Sequence, residues 1–240
     1  LLTMPGYTDP NTTVRGNITT TTRYVDAAAT IPIATHAQFD QAGNLRKTTN
    51  ERGMLTETEF ASTYKHAFAT KVTTPIPDPA GGHGLNAAFE SSSTFDSTTG
   101  LVLTGTDPNG QVITYEYKDE QDVCDPLNRL RKVTRPDGSW TKYTYGDSVG
   151  NLFKSIETSQ DATRTTKSYE YFDPLGRVSR SFSSETGSNY IATDTIYDGL
   201  GRIWKVSNAY RTTTLDGVAD LAHVRYVKTR RMAGSADEKR

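Results

Sequence analysis

The chain has 240 residues, room for one or two ordinary domains with a substantial core, and its net charge of −1 exerts no global pull toward nucleic acid or anionic lipid. A single Cys excludes an internal disulfide framework, and no apolar run reaches the ~18–20 residues of a membrane-spanning helix. Hydrophobic residues are 34% and aromatics 10%, with 13 Tyr and abundant Thr, a balance suited to thin, half-solvated β-sheets rather than a thick core.

Helical periodicity is almost absent. Short alternating Thr/Tyr/Val segments, split by Gly, Asn and Asp-Gly turns, predict an all-β chain of hairpins. The first clear turn is Phe39-Asp40 through Gly43 to Leu45. Glu59-Phe60-Ala61-Ser62 reads as a degenerate copy without its Asp, and Pro75 to Gly84, with three Pro and three Gly, as an exposed loop. Phe95-Asp96 to Gly100-Leu101 is a copy with one extra residue. Asn109-Gly110 predicts a tight hairpin turn before Tyr115/Tyr117. Asp125-Pro126-Leu127-Asn128-Arg129-Leu130 follows, then the Asp137-Gly138 hairpin dipeptide and Tyr143/Tyr145. Asp147 through Gly150 to Leu152 is the next copy. Tyr169/Tyr171 precede Phe172-Asp173, Gly176-Arg177 and Val178; Tyr197-Asp198, Gly201-Arg202 and Ile203 close the series. The tail 232–240 is polar and reads as frayed.

One phrase therefore returns five times: Asp, two variable residues, Gly, Arg or Asn, then an aliphatic. Asp suits the turn because its carboxylate accepts backbone N–H groups, and Gly because the turn needs positive φ. Asn128 stands in for Gly as the next most tolerant residue. A basic residue follows each aliphatic by two: Lys47, Lys132, Lys154, Arg180 and Lys205. Leu130 and Val133 are three apart, as are Ile203 and Val206, so either both faces are covered or a bulge shifts the register. Tyr-x-Tyr pairs place two rings on one face of each strand. Repetition at this interval marks a repeat architecture.

These residues resemble the RHS/YD-repeat family. The match rests on Tyr197-Asp198-Gly199-Leu200-Gly201-Arg202-Ile203, on Phe172-Asp173-Pro174-Leu175-Gly176-Arg177-Val178, and on Asp125 to Leu130 continuing through Arg135-Pro136-Asp137-Gly138 to Tyr145. It covers about Gly16 to Val227. The resemblance implies a continuous spiralling sheet over 1–231, degenerate before 95 and clearest over 95–207. It further implies the wall of a secreted or surface shell that encloses or presents a C-terminal, toxin-like cargo. The chain begins at Leu1 and carries no visible signal peptide, so it reads as part of something longer. Its expected partners are then the rest of its own chain and that cargo. A cell-surface adhesin that binds carbohydrate or a neighbouring cell is the alternative. Nucleic acid is not an expected partner.

No residue pattern predicts catalysis, a cofactor or a metal. His36, His66, His83 and His223 are scattered without ligand spacing. Gly81-Gly82-His83-Gly84 lacks the strand–loop–helix setting of a phosphate loop, and no Gly-x-Ser-x-Gly elbow exists. The family's self-cleaving C-terminal region is not recognisable, and Asp107-Pro108 and Asp173-Pro174 fall inside ordinary repeats. Cys124 is expected to be a small buried apolar residue. The basic ladder and the Tyr pairs are read as charge-balanced and structural rather than as an anion stripe or a sugar platform. Asn11-Thr12-Thr13 and Asn17-Ile18-Thr19 match the glycosylation sequon, a frequent coincidence in a Thr-rich chain.

Overall fold

The computed structural model describes residues 16–26, 28, 30–185, 189–216 and 226–228. The predicted tail, His223 and the Asn11 sequon lie outside the described residues. The chain is all-β and antiparallel, and it divides into two units, Leu1–Glu116 and Tyr117–Arg240.

The first unit holds β1 (Thr20–Tyr24), β2 (Pro32–Phe39), β3 (Leu45–Thr49) and β4 (Leu55–Phe60). A single 3-10 turn at Ser62–Tyr64 follows, then β5 (Ala69–Thr73), β6 (Glu90–Phe95), β7 (Val102–Thr106) and β8 (Val112–Glu116). Each strand pairs with the next, so the unit is a simple meander. The Pro- and Gly-rich stretch lies in the loop between β5 and β6, with Gly81 to Gly84 exposed. Tyr64, Phe68 and Phe95 form an aromatic cluster, Phe68 stacked on Phe95 at 4.8 Å between centroids.

The second unit continues with β9 (Lys132–Thr134), β10 (Trp140–Ser148), β11 (Asn151–Ser159), β12 (Thr165–Phe172), β13 (Val178–Ser184) and β14 (Tyr190–Tyr197). Then come β15 (Ile203–Ser207), β16 (Tyr210–Thr212) and β17 (Tyr226–Lys228). Strands β9 to β14 again form a meander. At β14 the sheet branches: its start pairs with β16, its end with β15, and β15 pairs with β17. The core lies on one face, where Tyr171, Phe182 and Ala192 are buried among Phe153, Tyr169, Tyr190, Tyr210 and Leu215. Ring centroids of Tyr171 and Phe182 stand 5.7 Å apart, edge to face. Burying Phe182 contributes about 2–3 kcal/mol.

The register question resolves to a bulge in five hairpins. In each, the aromatic before the turn faces the residue that opens the return strand: Phe39 faces Leu45, Phe60 faces Ala69, Phe95 faces Val102, Phe172 faces Val178 and Tyr197 faces Ile203. One residue then loops out before pairing resumes. That extra residue lets Ile203 and Val206 keep one side of the sheet despite a spacing of three.

Asn109-Gly110 and Asp137-Gly138 both lie in hairpin turns, as expected, with Gly110 at φ +76° and Gly138 at +81°. They belong to loops closed by Asp107 N–H to the Gln111 carbonyl (3.0 Å) and Arg135 N–H to the Ser139 carbonyl (2.8 Å). Cys124 is exposed rather than buried. It follows a loop closed by Asp119 N–H on the Val123 carbonyl and forms an isolated antiparallel bridge with Lys118.

Candidate functional site

The turns share one piece of chemistry. At Asp40, Asn50, Asp107, Asp119, Asp173 and Asp198, the N–H of this first residue reaches the carbonyl four positions on, and the N–H three positions on returns to its own carbonyl. The fourth residue is left-handed: Gly43 (φ +90°), Gly53 (+77°), Gly110 (+76°), Asp122 (+61°), Gly176 (+75°) and Gly201 (+78°). Three-residue loops that close on a left-handed residue favour Gly at that position. At Asn128 φ is +54°.

The carboxylate completes the loop. Asp40 Oδ1 accepts the N–H of Ala42 (3.0 Å) and Asn44 (2.9 Å); Asp173 Oδ1 accepts those of Leu175 (2.9 Å) and Arg177 (3.0 Å); Asp198 Oδ1 accepts those of Leu200 (3.0 Å) and Arg202 (2.9 Å). Asp40 and Asp125 are buried, at 0% and 2% exposure. Burial by itself raises the Asp125 carboxyl. Hydrogen bonds from the Arg129 guanidinium and from the N–H groups of Arg129 and Leu127 outweigh it and bring the pKa to about 2. The same balance holds Asp173 below the usual carboxylate range.

Adjacent repeats are joined by an Arg–Tyr clasp. Arg129 binds Asp125 and lies over the Tyr145 ring at 4.1 Å, while Tyr145 Oη donates to the Leu130 carbonyl at 3.0 Å. Arg177 binds Asp173 and lies over Tyr197 at 4.2 Å, and Tyr197 Oη donates to the Val178 carbonyl at 2.9 Å. The first unit holds a variant. Asn44 Nδ2 donates to the His66 carbonyl (3.0 Å), and Arg46 Nε donates to the Thr58 carbonyl (2.8 Å) below the Phe60 ring.

Asp147 departs from this scheme. It faces Leu152 inside the β10–β11 ladder, and the two-residue link Val149-Gly150 makes the turn, with Gly150 at φ +79°. Its carboxylate receives Arg129, at 2.8 and 2.6 Å, instead of its own loop. Gly146 is the cause. It inserts one residue, and one residue exchanges the faces of a strand. Tyr143 and Tyr145 therefore take the face opposite Tyr169 and Tyr171, as the register Phe153–Tyr171 and Gly146–Phe153 requires.

A buried charge network lies beside the aromatic core, built from cross-strand positions that no local motif signals. Arg180 and Asp194 face each other across β13 and β14. Their side chains are 3% and 0% exposed, with Nε 3.0 Å from Oδ1. Tyr210 Oη donates to Asp194 Oδ2 at 2.8 Å and receives Arg180 Nη2 at 2.5 Å. Asp216 adds its carboxylate and, at 3.3 Å, its carbonyl to Arg180 Nη1. Burial first, and the Asp194 hydrogen bond second, push the Tyr210 phenol up to about 12.

Three of the four remaining ladder residues meet a counter-charge or a ring, while Lys132 faces Lys142 across β9 and β10. Lys47 pairs with Glu57, Lys154 lies 5.6 Å from the Tyr143 ring centroid and faces Glu170, and Lys205 lies 4.1 Å over Trp204. His36 contacts Thr20, His66 Nδ1 lies 2.7 Å from the Phe60 carbonyl, and the His83 N–H donates to Asp78. Among the described residues no group of three His, Cys, Asp or Glu is placed to hold a metal. No helix among them is long and apolar enough to cross a membrane.

The architecture recurs in solved structures of the toxin-complex proteins TcdB2 and TccC3. The TcdB2-TccC3 structure superposes with a TM-score of 0.52 at 17% identity, over 75% of this chain and 10% of that one. The TcdB2-TccC3-Cdc42 structure gives 0.52 at 18% identity, over the same shares of the two chains. This chain has their fold. It spans about a tenth of the length of those solved chains. No family model matches it, and neither does any curated protein.

Proposed function

We propose that this chain is a structural segment of a large secreted or surface RHS/YD-repeat protein, part of the wall of a shell that encloses or presents a C-terminal, toxin-like cargo. The Arg–Tyr clasp carries the reading. At Asp125 and Asp173 the turn carboxylate binds its own loop and an arginine, and that arginine lies over the tyrosine of a following hairpin. Such groups hold strands together rather than move protons, because a carboxyl near 2 donates no proton at neutral pH. The shared fold with TcdB2-TccC3 supports the same reading. Tyr171 is buried and Tyr143, Tyr145 and Tyr169 are half-buried, which suits a wall better than an open stacking platform. The partners in this reading are the remainder of the chain and its cargo, and no cofactor is needed.

The test is the longest natural polypeptide that contains this segment, expressed with its native C-terminus. Intact mass and electron microscopy are expected to show hollow particles that retain a C-terminal piece. A solid or extended particle that binds a glycan array through this segment would replace the shell with the adhesin.

A further inference from the structure

Asn109-Gly110 is the single Asn-Gly dipeptide in the chain. It sits at the tip of the β7–β8 hairpin, where Pro108, Asn109 and Gly110 are all exposed. Asp137-Gly138, Asp198-Gly199 and Asp216-Gly217 share its form, but their carboxylates are engaged. Asp137 Oδ1 accepts the Ser139 N–H at 2.9 Å, Asp198 Oδ1 accepts the N–H groups of Leu200 and Arg202, and Asp216 pairs with Arg180. The Asn109 carboxamide makes no hydrogen bond to any described residue. A carboxamide left unengaged, ahead of a residue without a side chain, is open to attack by the next backbone nitrogen. In this loop that nitrogen is restrained. The Gly110 N–H donates to the Asp107 carbonyl at 3.0 Å. Asp107 Oδ1 also accepts the N–H groups of Asn109 and Gln111, at 2.8 and 2.9 Å.

We propose that Asn109 is a site of spontaneous deamidation, gated by Asp107. When the tip opens, the Gly110 nitrogen attacks Asn109 Cγ. A new C–N bond forms, the carboxamide C–N bond breaks, and ammonia leaves with the proton that Gly110 gives up. The product is a five-membered cyclic imide. Water opens that ring at either carbonyl, to aspartate or to isoaspartate, and nothing is oxidised or reduced. Either product brings a second carboxylate close to that of Asp107, and like charges repel. Isoaspartate also lengthens the backbone of a loop whose closing hydrogen bonds fit three residues. The reacted tip therefore does not close as before, and the product accumulates as a covalent record of local opening at this hairpin. The reaction is confined to the tip and requires neither cargo nor shell.

The test incubates the longest natural polypeptide that contains this segment at neutral pH, then maps its peptides by mass spectrometry, with electron-transfer fragmentation to separate isoaspartate from aspartate. A synthetic peptide of residues 105–113 is the ungated reference. Asn109 in the folded chain is expected to convert more slowly than in the peptide. Asp107→Ala is expected to speed its conversion about fivefold, the equivalent of one loop hydrogen bond. Asp119 closes a matching loop that holds no Asn-Gly, its Oδ1 accepting the N–H groups of Gln121 and Val123. Asp119→Ala should therefore leave the Asn109 rate unchanged. Circular dichroism checks that each variant folds; if Asp107→Ala does not, the milder Asp107→Asn takes its place. A folded chain that keeps Asn109 wholly amidated while the peptide converts overturns the site. A folded chain that converts as fast as the peptide, or a folded Asp107 variant no faster than the wild type, overturns the gate.

Discussion

Asp194→Asn is the most direct probe of the second unit. The substitution keeps side-chain volume and removes one charge from a fully buried pair. Arg180, 3% exposed, then depends on Asp216, whose side chain is 45% exposed, and on the Tyr210 hydroxyl. Breaking a buried pair costs about 3–5 kcal/mol because the remaining charge is left uncompensated. Asp216 recovers part of this, so the expected loss is about 3 kcal/mol. Urea unfolding followed by tyrosine fluorescence measures it directly. In a thermal melt, at about 2–4 °C per kcal/mol for a chain of this size, the midpoint should fall by roughly 6–12 °C. The double variant Arg180→Leu/Asp194→Leu should lose much less, since an apolar replacement leaves no orphaned charge. An Asp194→Asn midpoint within error of the wild type, or a double variant worse than the single, refutes the reasoning.

Other consequences are as readily checked. The Asp125 carboxyl is lowered from 3.8 to about 2, so its contribution is present above pH 4 and disappears as pH falls toward 2; Asp125→Asn should flatten that acid limb in a pH series of urea midpoints. Tyr210 is raised to about 12, so its contribution is complete below pH 10 and disappears between 10 and 12; Tyr210→Phe should remove the alkaline step. At Gly146, an added Cβ would lie 2.2 Å from Phe153 Cε1 and 2.9 Å from the Asn151 carbonyl oxygen, and Phe153 is itself held against the core. Gly146→Ala should therefore destabilise by about 1–3 kcal/mol in denaturant melts. Asn128 is left-handed at φ +54°, so Asn128→Gly should be neutral or slightly stabilising, whereas Asn128→Val should cost about 1–2 kcal/mol.

Local chemistry was the most legible part of this chain. An Asp four positions ahead of the residue it caps, with Gly between them, states a turn within five residues, and Asp40, Asp173 and Asp198 close as their residue types imply. Asn50 closes an equivalent loop, with its Oδ1 accepting Arg52 and Met54 N–H, although it lacks the Asp that marks the phrase. Asp147 carries the phrase but occupies a strand, because Gly146 had already moved the register by one. The charge network was not legible. Arg180, Asp194 and Tyr210 meet only through the pairing of β13, β14 and β16, and that pairing depends on bulges and a sheet branch that no single segment encodes. The one hint was an acidic residue in the middle of the apolar run from Tyr190 to Tyr197.

The self-closing loops also bear on how the chain is made. A turn whose hydrogen bonds are complete within five residues needs nothing from distant sequence, and in each unit most strands pair with the strand just synthesised. Short-range pairing lowers the entropy of closure that usually slows all-β folding. The hairpins can therefore zip in order, amino end first, as the polypeptide leaves a ribosome. Such a sheet grows by whole hairpins, and a lineage can lengthen or shorten it two strands at a time without redesigning those already in place.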